Sequence, residues 1–251
     1  MSTITAISPS VHSRKSWRPT QSLGFIAREA LIVIGYTELS RTLTHLPIAF
    51  IRQGDAINVA AVVGLLPEQN LMIGSDGQWL GGYVPFRMRS YPFTLAPAPT
   101  GELVLCIIEG DGNVMDGPVA NPFFDSVGQL DPVVKQTMEA LATFEREKAA
   151  CRNCAAQLDA MGVLKPWELT AQTYLGSKKI EGLWRADEAT LNALPDSDFL
   201  ELRKTGALTL AYCQMLSQPN MERLMKLAQK APLTAAVAST GMELDFSRLG
   251  G

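Results

Sequence analysis

Hydrophobic and polar residues alternate with different periods in the two halves of this chain. Up to about residue 108, short apolar runs are separated by turn residues, a pattern typical of β-strands. The runs that predict strands are residues 26–34, 48–52, 57–66, 70–73, 79–84 and 103–108. A leucine-rich exception at residues 38–45 predicts a short helix.

A helical period begins after residues 109–130, a predicted loop rich in Gly, Asp, Asn and Pro. Asp131 and Pro132 predict a helix start, because Asp accepts a bond from an otherwise unpaired backbone N–H and Pro has no N–H to lose. Apolar residues then recur at helical spacing as far as Leu158, and Gly162 predicts the helix end. Shorter helices are predicted over residues 187–194, 198–216 and 221–229.

Together these patterns predict an α+β fold. A mostly antiparallel, curved sheet is expected from residues 23–110, packed with helices from residues 131–230. The two parts are expected to share one core, which makes residues 23–230 a single domain. Residues 1–22 are expected to be a leader of low order, and the tail at residues 231–251 is ambiguous.

Charge and hydropathy narrow the possible functions. The formal net charge is −3 and the pI is about 5.5, which argues against nucleic-acid binding. The basic residues Arg14, Lys15 and Arg18 are interpreted as a solvated leader. The apolar run at residues 30–36 is far shorter than a membrane span, and no cleaved export signal is recognised. These features predict a cytoplasmic protein, with the cell surface, reached by a non-classical route, as the alternative.

Four cysteines in a chain of 251 residues suit a reducing compartment. Cys151 and Cys154 form a Cys-x-x-Cys pair, which is found in redox sites and in half of a zinc site. No second pair or nearby histidine completes a zinc site, and the pair falls inside a predicted helix. We therefore interpret both as core residues and predict no metal.

No catalytic constellation is recognised in the sequence. His12 and His45 are the two histidines, and no nucleophile elbow accompanies them. The loop that starts at Asp111 resembles a calcium loop but has Met115 at position five and Pro122 at position twelve. Neither catalytic residues nor a cofactor are therefore predicted.

The most informative stretch is residues 70–93, which combines turn residues, aromatic rings, prolines and arginines. The Asp76-Gly77 pair between two apolar runs predicts a hairpin turn. Each proline restricts the residue before it, so Val84 and Tyr91 are expected to be extended. In an extended segment, the side chains of Arg87 and Arg89 share one face.

Two neighbouring guanidinium groups need anionic partners. One interpretation is internal pairing with acids such as Glu38 or Glu109. The other is a docking site for an acidic or carboxylate-bearing partner, because aromatic and arginine residues are common at binding hot spots. The candidate partner-binding residues are Trp79, Tyr83, Arg87, Arg89, Tyr91 and Phe93.

Several motifs together are similar to a known family. They are Pro47–Phe50, Gly64-Leu65 with Asn70-Leu71, Asp76–Trp79, Tyr83–Pro85 leading into Arg87–Phe93, Leu105–Ile107, Gly182-Leu183, and Ser217 with Pro219-Asn220. Over residues 23–230 the chain resembles the bacterial SapC family. The resemblance implies an association with a bacterial surface layer and carries no catalytic residue set. The Cys151/Cys154 pair is not a feature of that pattern.

The resulting prediction is a non-catalytic accessory protein that binds a protein or peptide. One alternative is a structural component of a bacterial surface layer. The other is an enzyme with an unrecognised carboxylate and arginine site that gathers Glu38, Arg87 and Glu109. The predicted partner is a protein or peptide and not a nucleic acid, and the oligomeric state is left open.

Overall fold

The computed structural model describes residues 3–20, 22–110, 112–173, 176–230 and 244–245, and its class is α+β, as predicted. The helices are α1 (Pro9–His12), α2 (Leu39–Thr42), α3 (Phe86–Arg89), α4 (Pro132–Ala160), α5 (Glu188–Asn192), α6 (Asp196–Thr205), α7 (Ala207–Ser217) and α8 (Asn220–Lys230). Single 3₁₀ turns lie at Gly24–Ile26 and Tyr36–Glu38.

The strands are short and nearly all pair antiparallel. They are β1 (Thr3–Ala6), β2 (Lys15–Trp17), β3 (Leu31–Val33), β4 (Ile48–Gln53), β5 (Ala56–Val62), β6 (Phe93–Pro97), β7 (Leu103–Glu109), β8 (Val114–Asp116), β9 (Asn121–Pro122), β10 (Leu164–Pro166), β11 (Leu169–Thr173), β12 (Gly176–Glu181), β13 (Leu183–Ala186) and β14 (Leu244–Asp245). The pairing of β12 with β14 is parallel.

Packing divides the chain into two units. The first contains Met1–Ser22 and Phe86–Arg146, and the second contains Leu23–Pro85 and Glu147–Gly251. Helix α4 contributes its first half to the first unit and its second half to the second unit.

The first unit contains two three-stranded sheets, ordered β1-β7-β6 and β8-β2-β9. Its core joins strand residues to the first half of α4. The buried members of this core are Trp17, Phe93, Leu105, Ile107, Phe123, Val134 and Leu141. Trp17 and Phe93 meet edge to face with 4.6 Å between ring centroids, a favourable aromatic geometry.

The described residues 3–20 contain paired strands, where the sequence predicted a leader of low order. Strand β1 pairs with β7 from Thr3 to Ala6, and β2 pairs with both β8 and β9. His12 and Trp17 are buried. The polar composition of this segment concealed strands whose partners lie about a hundred residues away.

The second unit contains a five-stranded antiparallel sheet, ordered β10-β13-β4-β5-β3. Helix α7 packs on β4 and β13. Two buried polar residues of α7 fix this contact: the Ser217 hydroxyl accepts the Ile48 N–H at 2.9 Å, and the Gln214 amide bonds both Ile48 and Ala186. The helices of the second half thus pack on a sheet as expected.

The sheet is not confined to the first 110 residues, which corrects the predicted boundary. Strands β10 and β13 from the second half complete the five-stranded sheet, and β11 and β12 form another sheet with β14. These strands are only three to six residues long and carry lysines at several positions, so their apolar pattern is weak.

The predicted helices are confirmed, except that one of them is divided into two. Helix α4 begins at Pro132, and the Asp131 carboxylate accepts the Val133 N–H at 2.9 Å. The helix predicted at residues 198–216 is two helices, because Gly206 adopts a left-handed φ of 85° between α6 and α7. Glycine reaches this conformation without the steric cost that a side chain adds.

Candidate functional site

The predicted turn at Asp76-Gly77 is present. The Gly77 N–H donates to the Gly74 carbonyl at 2.9 Å, and Ile73 forms an antiparallel bridge with Trp79. The Asp76 carboxylate accepts the Gln78 N–H at 3.1 Å. The ladder ends after this one bridge, so the strand expected at residues 79–84 does not extend beyond Trp79.

We call residues 79–83 the diglycine loop. The Trp79 indole N–H donates to the Tyr83 carbonyl at 2.8 Å, which closes the loop on itself. The Leu80 N–H donates to the Met72 carbonyl at 2.8 Å, and the Leu80 carbonyl accepts from the Arg223 guanidinium at 2.6 Å. These bonds attach the loop to the preceding hairpin and to α8.

The two glycines of the loop allow rings to lie directly against the backbone. A Cβ on Gly81 would overlap the indole of Trp79. A Cβ on Gly82 would lie 2.5 Å from both Cε1 and Nδ1 of His45, far inside contact distance. The loop therefore lies against two rings, and a side chain at either glycine would force a ring or the loop to move.

A buried carboxylate anchors the end of the loop. The Tyr83 hydroxyl donates to Glu38 Oε1 at 2.7 Å, and Glu38 Oε2 accepts the Gly35 N–H at 2.9 Å. Glu38 is 5% exposed. A buried carboxylate is costly without hydrogen-bond donors, and these two bonds help to satisfy it.

The diglycine loop presents apolar and aromatic surface from a fixed backbone. The Leu80 side chain is 39% exposed, and Trp79 and Tyr83 are half-buried. The turn residues before the loop, 75–78, are exposed. The arrangement can therefore offer a preorganised contact surface, with its rings held in place by hydrogen bonds.

Arg87 and Arg89 lie on a helix, which corrects the predicted extended ribbon. Helix α3 is closed by the Ser90 N–H donating to the Phe86 carbonyl at 2.9 Å. Residues two apart on a helix do not face each other, so the two arginines do not share a face. Both are exposed, and the Arg89 guanidinium lies 5.4 Å from the centre of the Phe86 ring.

Tyr91 and Phe93 are buried, so their rings are core and not the exposed anchors expected from the sequence. Phe93 belongs to the core of the first unit, where it meets Trp17 and Phe123. The Tyr91–Pro92 peptide bond is cis. Neither ring therefore belongs to an exposed binding surface.

The other acid considered in the sequence, Glu109, lies beside the beginning of the chain. Its carboxylate is 3.6 Å from His12 Nε2 and 3.8 Å from Lys15 Nζ. Neither Lys15 nor His12 was expected to be ordered, so this cluster could not be recognised from the sequence.

Cys151 and Cys154 lie within α4 and are buried. Burial raises the pKa of both thiols, that of Cys151 to about 12, with the neighbouring Cys154 contributing. Within the described residues, no three His, Cys, Asp or Glu side chains are arranged to hold a metal ion.

Trp79, Tyr83 and Glu38 were recognised from the sequence, but the hydrogen bonds that join them were not predicted. The Tyr83–Glu38 bond joins residues 45 positions apart, and the contact of His45 with Gly82 has no local signal. The paired glycines at 81 and 82 are the one feature from which close packing around the loop could have been inferred.

A family model described as SapC matches residues 7–224 of the chain. The chain belongs to the SapC family. The match also covers most of the residues before position 23, where the resemblance seen in the sequence began. Searches of curated proteins and of solved structures each gave no match. In the described part of this SapC chain, no helix has both the length and the apolar character to cross a membrane.

Proposed function

We propose that this SapC-family chain is a non-catalytic accessory protein that binds a protein or peptide through the diglycine loop. The observation that carries the proposal is the anchoring of an exposed loop by the buried Glu38 carboxylate through Tyr83. A buried carboxylate needs hydrogen-bond donors, and here one of those donors, the Tyr83 hydroxyl, lies at the end of a surface loop. Fixing a loop before binding lowers the entropy lost when a partner docks.

The composition of the loop supports a binding role. Trp and Tyr are enriched among interface residues that dominate affinity, and Leu80 adds exposed apolar area beside them. We propose the exposed Arg87 and Arg89 of the first unit as a separate contact for acidic groups of the partner.

The test is partner capture from the cells in which the chain is native. Full-length wild type, Leu80→Arg and Leu200→Arg are immobilised, and bound proteins are quantified by mass spectrometry. Leu200 is a matched control because it is also an exposed leucine of the second unit, at 37% against 39% for Leu80. A protein captured by wild type and Leu200→Arg, but reduced at least about tenfold on Leu80→Arg, supports the proposal.

Equal capture by all three proteins, or no specific capture by wild type, overturns the role of the loop. An Arg87→Glu/Arg89→Glu variant tests the arginine contribution in the same experiment. Reduced capture of the same partner supports it, and unchanged capture removes the two arginines from the proposal.

A cytoplasmic location belongs to the proposal, and a structural role in a surface layer is its alternative. The four cysteines are free and buried, as suits a reducing compartment. Cell fractionation with an antibody against the chain separates the two, because a lattice component must be found with the cell surface.

A further inference from the structure

The second unit contains a groove that lies apart from the diglycine loop. It has a volume of about 590 Å³ and runs between the second half of α4, the Tyr36 turn and the junction of α6 with α7. Ligand sites typically have volumes of about 300–1,000 Å³, so the groove is large enough for a short peptide segment.

The floor of the groove is apolar and fixed. The Tyr36 ring lies across the helix junction, and its hydroxyl donates to the Gly206 carbonyl at 2.9 Å. Cys154 of α4 is buried at the floor, where its sulfur is 3.5 Å from the Thr205 carbonyl, and the exposed Ala150 also lines the groove. An aliphatic side chain of a ligand can pack on this surface.

The rim of the groove offers hydrogen-bond donors. The Thr205 hydroxyl donates to Gln157 Oε1 at 2.5 Å, its shortest contact, and the Glu201 and Leu202 carbonyls lie 3.2 and 3.3 Å from the same hydroxyl. With its oxygen engaged, Gln157 has its NH₂ group left to donate to a ligand. Asn153 is exposed on the same wall, one helical turn before Gln157, and adds a second amide.

The charge of the rim is positive. Arg203 and Lys204 line the groove, and none of its lining residues is acidic. Lys204 pairs with Glu201 at 2.7 Å. For Arg203, the described part of the chain supplies no acidic partner, so its guanidinium is available to a ligand.

We propose that this groove binds a carboxylate carried by a short peptide segment with an apolar neighbour. Arg203 pairs with the carboxylate, the amides of Gln157 and Asn153 donate to it, and the apolar neighbour packs on the Tyr36 floor. One guanidinium with neutral donors matches a single negative charge better than the double charge of a phosphate. The proposal does not depend on the function assigned to the diglycine loop.

The test measures the binding of three peptide probes to the full-length chain by titration calorimetry. They are acetyl-Leu-Asp-Leu-amide, acetyl-Leu-Asn-Leu-amide and acetyl-Leu-Asn-Leu with a free C-terminal carboxylate. The Asn amide is the matched neutral control. We expect at least about tenfold tighter binding of a carboxylate probe than of the neutral one, with an affinity on the order of 1 mM or better. Which carboxylate probe is preferred shows whether the side chain or the terminus is recognised.

Variants of the chain test whether the preference for carboxylate probes arises in the groove. Arg203→Gln is expected to abolish it, and Arg203→Lys to retain part of it, because lysine keeps the charge but loses the forked geometry. Arg41→Gln is the matched control, since Arg41 is also an exposed arginine in the last turn of a helix but does not line the groove. Thermal melting checks that each variant is folded.

The proposal is overturned if the neutral probe binds as well as both acids, if no probe binds, or if Arg203→Gln keeps the preference. Leu80→Arg must bind the probes as wild type does. This separates failure of the groove from failure of the loop.

Discussion

The Tyr83 hydroxyl donates to the buried Glu38 carboxylate at 2.7 Å, and this bond joins the end of the diglycine loop to the turn at Tyr36–Glu38. Tyr83→Phe removes the donor while keeping the ring. We expect the free energy of unfolding to fall by about 1–3 kcal/mol, the cost of leaving a buried acceptor without its donor. Urea denaturation measures the change. Tyr212→Phe, at an exposed tyrosine of α7, is the control and should change stability by less than about 0.5 kcal/mol. Equal effects of the two variants would show that the bond contributes nothing.

The contact between Gly82 and the His45 ring gives a second prediction. Gly82→Ala places a methyl group 2.5 Å from the imidazole, so either the ring or the loop must move. We expect a loss of about 1–3 kcal/mol, the usual cost of overpacking. His45→Ala makes room for the methyl group, so the double variant should be more stable than the sum of the single effects predicts. A double-mutant cycle measures this, and a coupling energy below about 0.5 kcal/mol would contradict the contact.

Local signals in the sequence were sufficient for some elements of this fold. The Asp76-Gly77 turn and the start of α4 at Asp131-Pro132 depend on the conformational preferences of a few adjacent residues. Strands β4, β5 and β7 follow from continuous apolar runs. Each of these signals is contained within about ten residues.

Helix α3 shows why other elements were missed. A proline restricts the residue before it, so Pro85 and Pro92 constrain Val84 and Tyr91 but not the residues from Phe86 to Ser90. That segment was free to form a helical turn, and packing of Phe86 against Phe144 at 5.0 Å holds it there. The helical conformation separates Arg87 from Arg89, which no local rule indicates.

The candidate sites required tertiary information. Glu38 and Tyr83 were each visible as residue types, but their bond depends on how two distant segments pack. The groove is formed by residues that are even farther apart in the sequence, since its lining residues come from positions 36, 150–157 and 203–206. A sequence pattern has no means of showing that these segments meet.

The buried cysteines lead to a third prediction. Burial raises the pKa of Cys151 to about 12, so at pH 8 only on the order of one thiol in 10⁴ is ionised. Since the thiolate is the reactive form, we expect the native protein to react with an aromatic disulfide reagent far more slowly than a free thiol. In denaturant all four cysteines should react, and Cys151→Ala/Cys154→Ala should lower that number by two. Rapid reaction of two thiols in the native protein would instead support a redox pair.

His12 gives the last prediction, a dependence of stability on pH. It is 0% exposed and packs edge to face on Phe123 at 5.0 Å. Its Nδ1 accepts the Ser8 N–H, and its Nε2 faces Glu109, whose other oxygen is near Lys15. Burial is the largest influence and lowers the pKa of His12 below its ordinary value of 6.5, against the opposing effect of Glu109.

The unfolded chain therefore takes up this proton at a higher pH than the folded chain does. By linkage, stability rises with pH wherever the unfolded state binds more protons, so the contribution of neutral His12 is complete above about pH 7 and is lost as the pH falls through 6.5 toward the lower folded value. Urea denaturation between pH 7.5 and 5.5 should show a smaller loss of stability in His12→Gln than in wild type. Only the change of the unfolding free energy with pH is compared between variants, because His12→Gln also changes packing against Phe123 and so shifts the absolute stability. If His12→Gln loses as much stability over this range as wild type, then the imidazole is not the group that titrates, and its burial beside Glu109 has no effect on the acid sensitivity of the first unit.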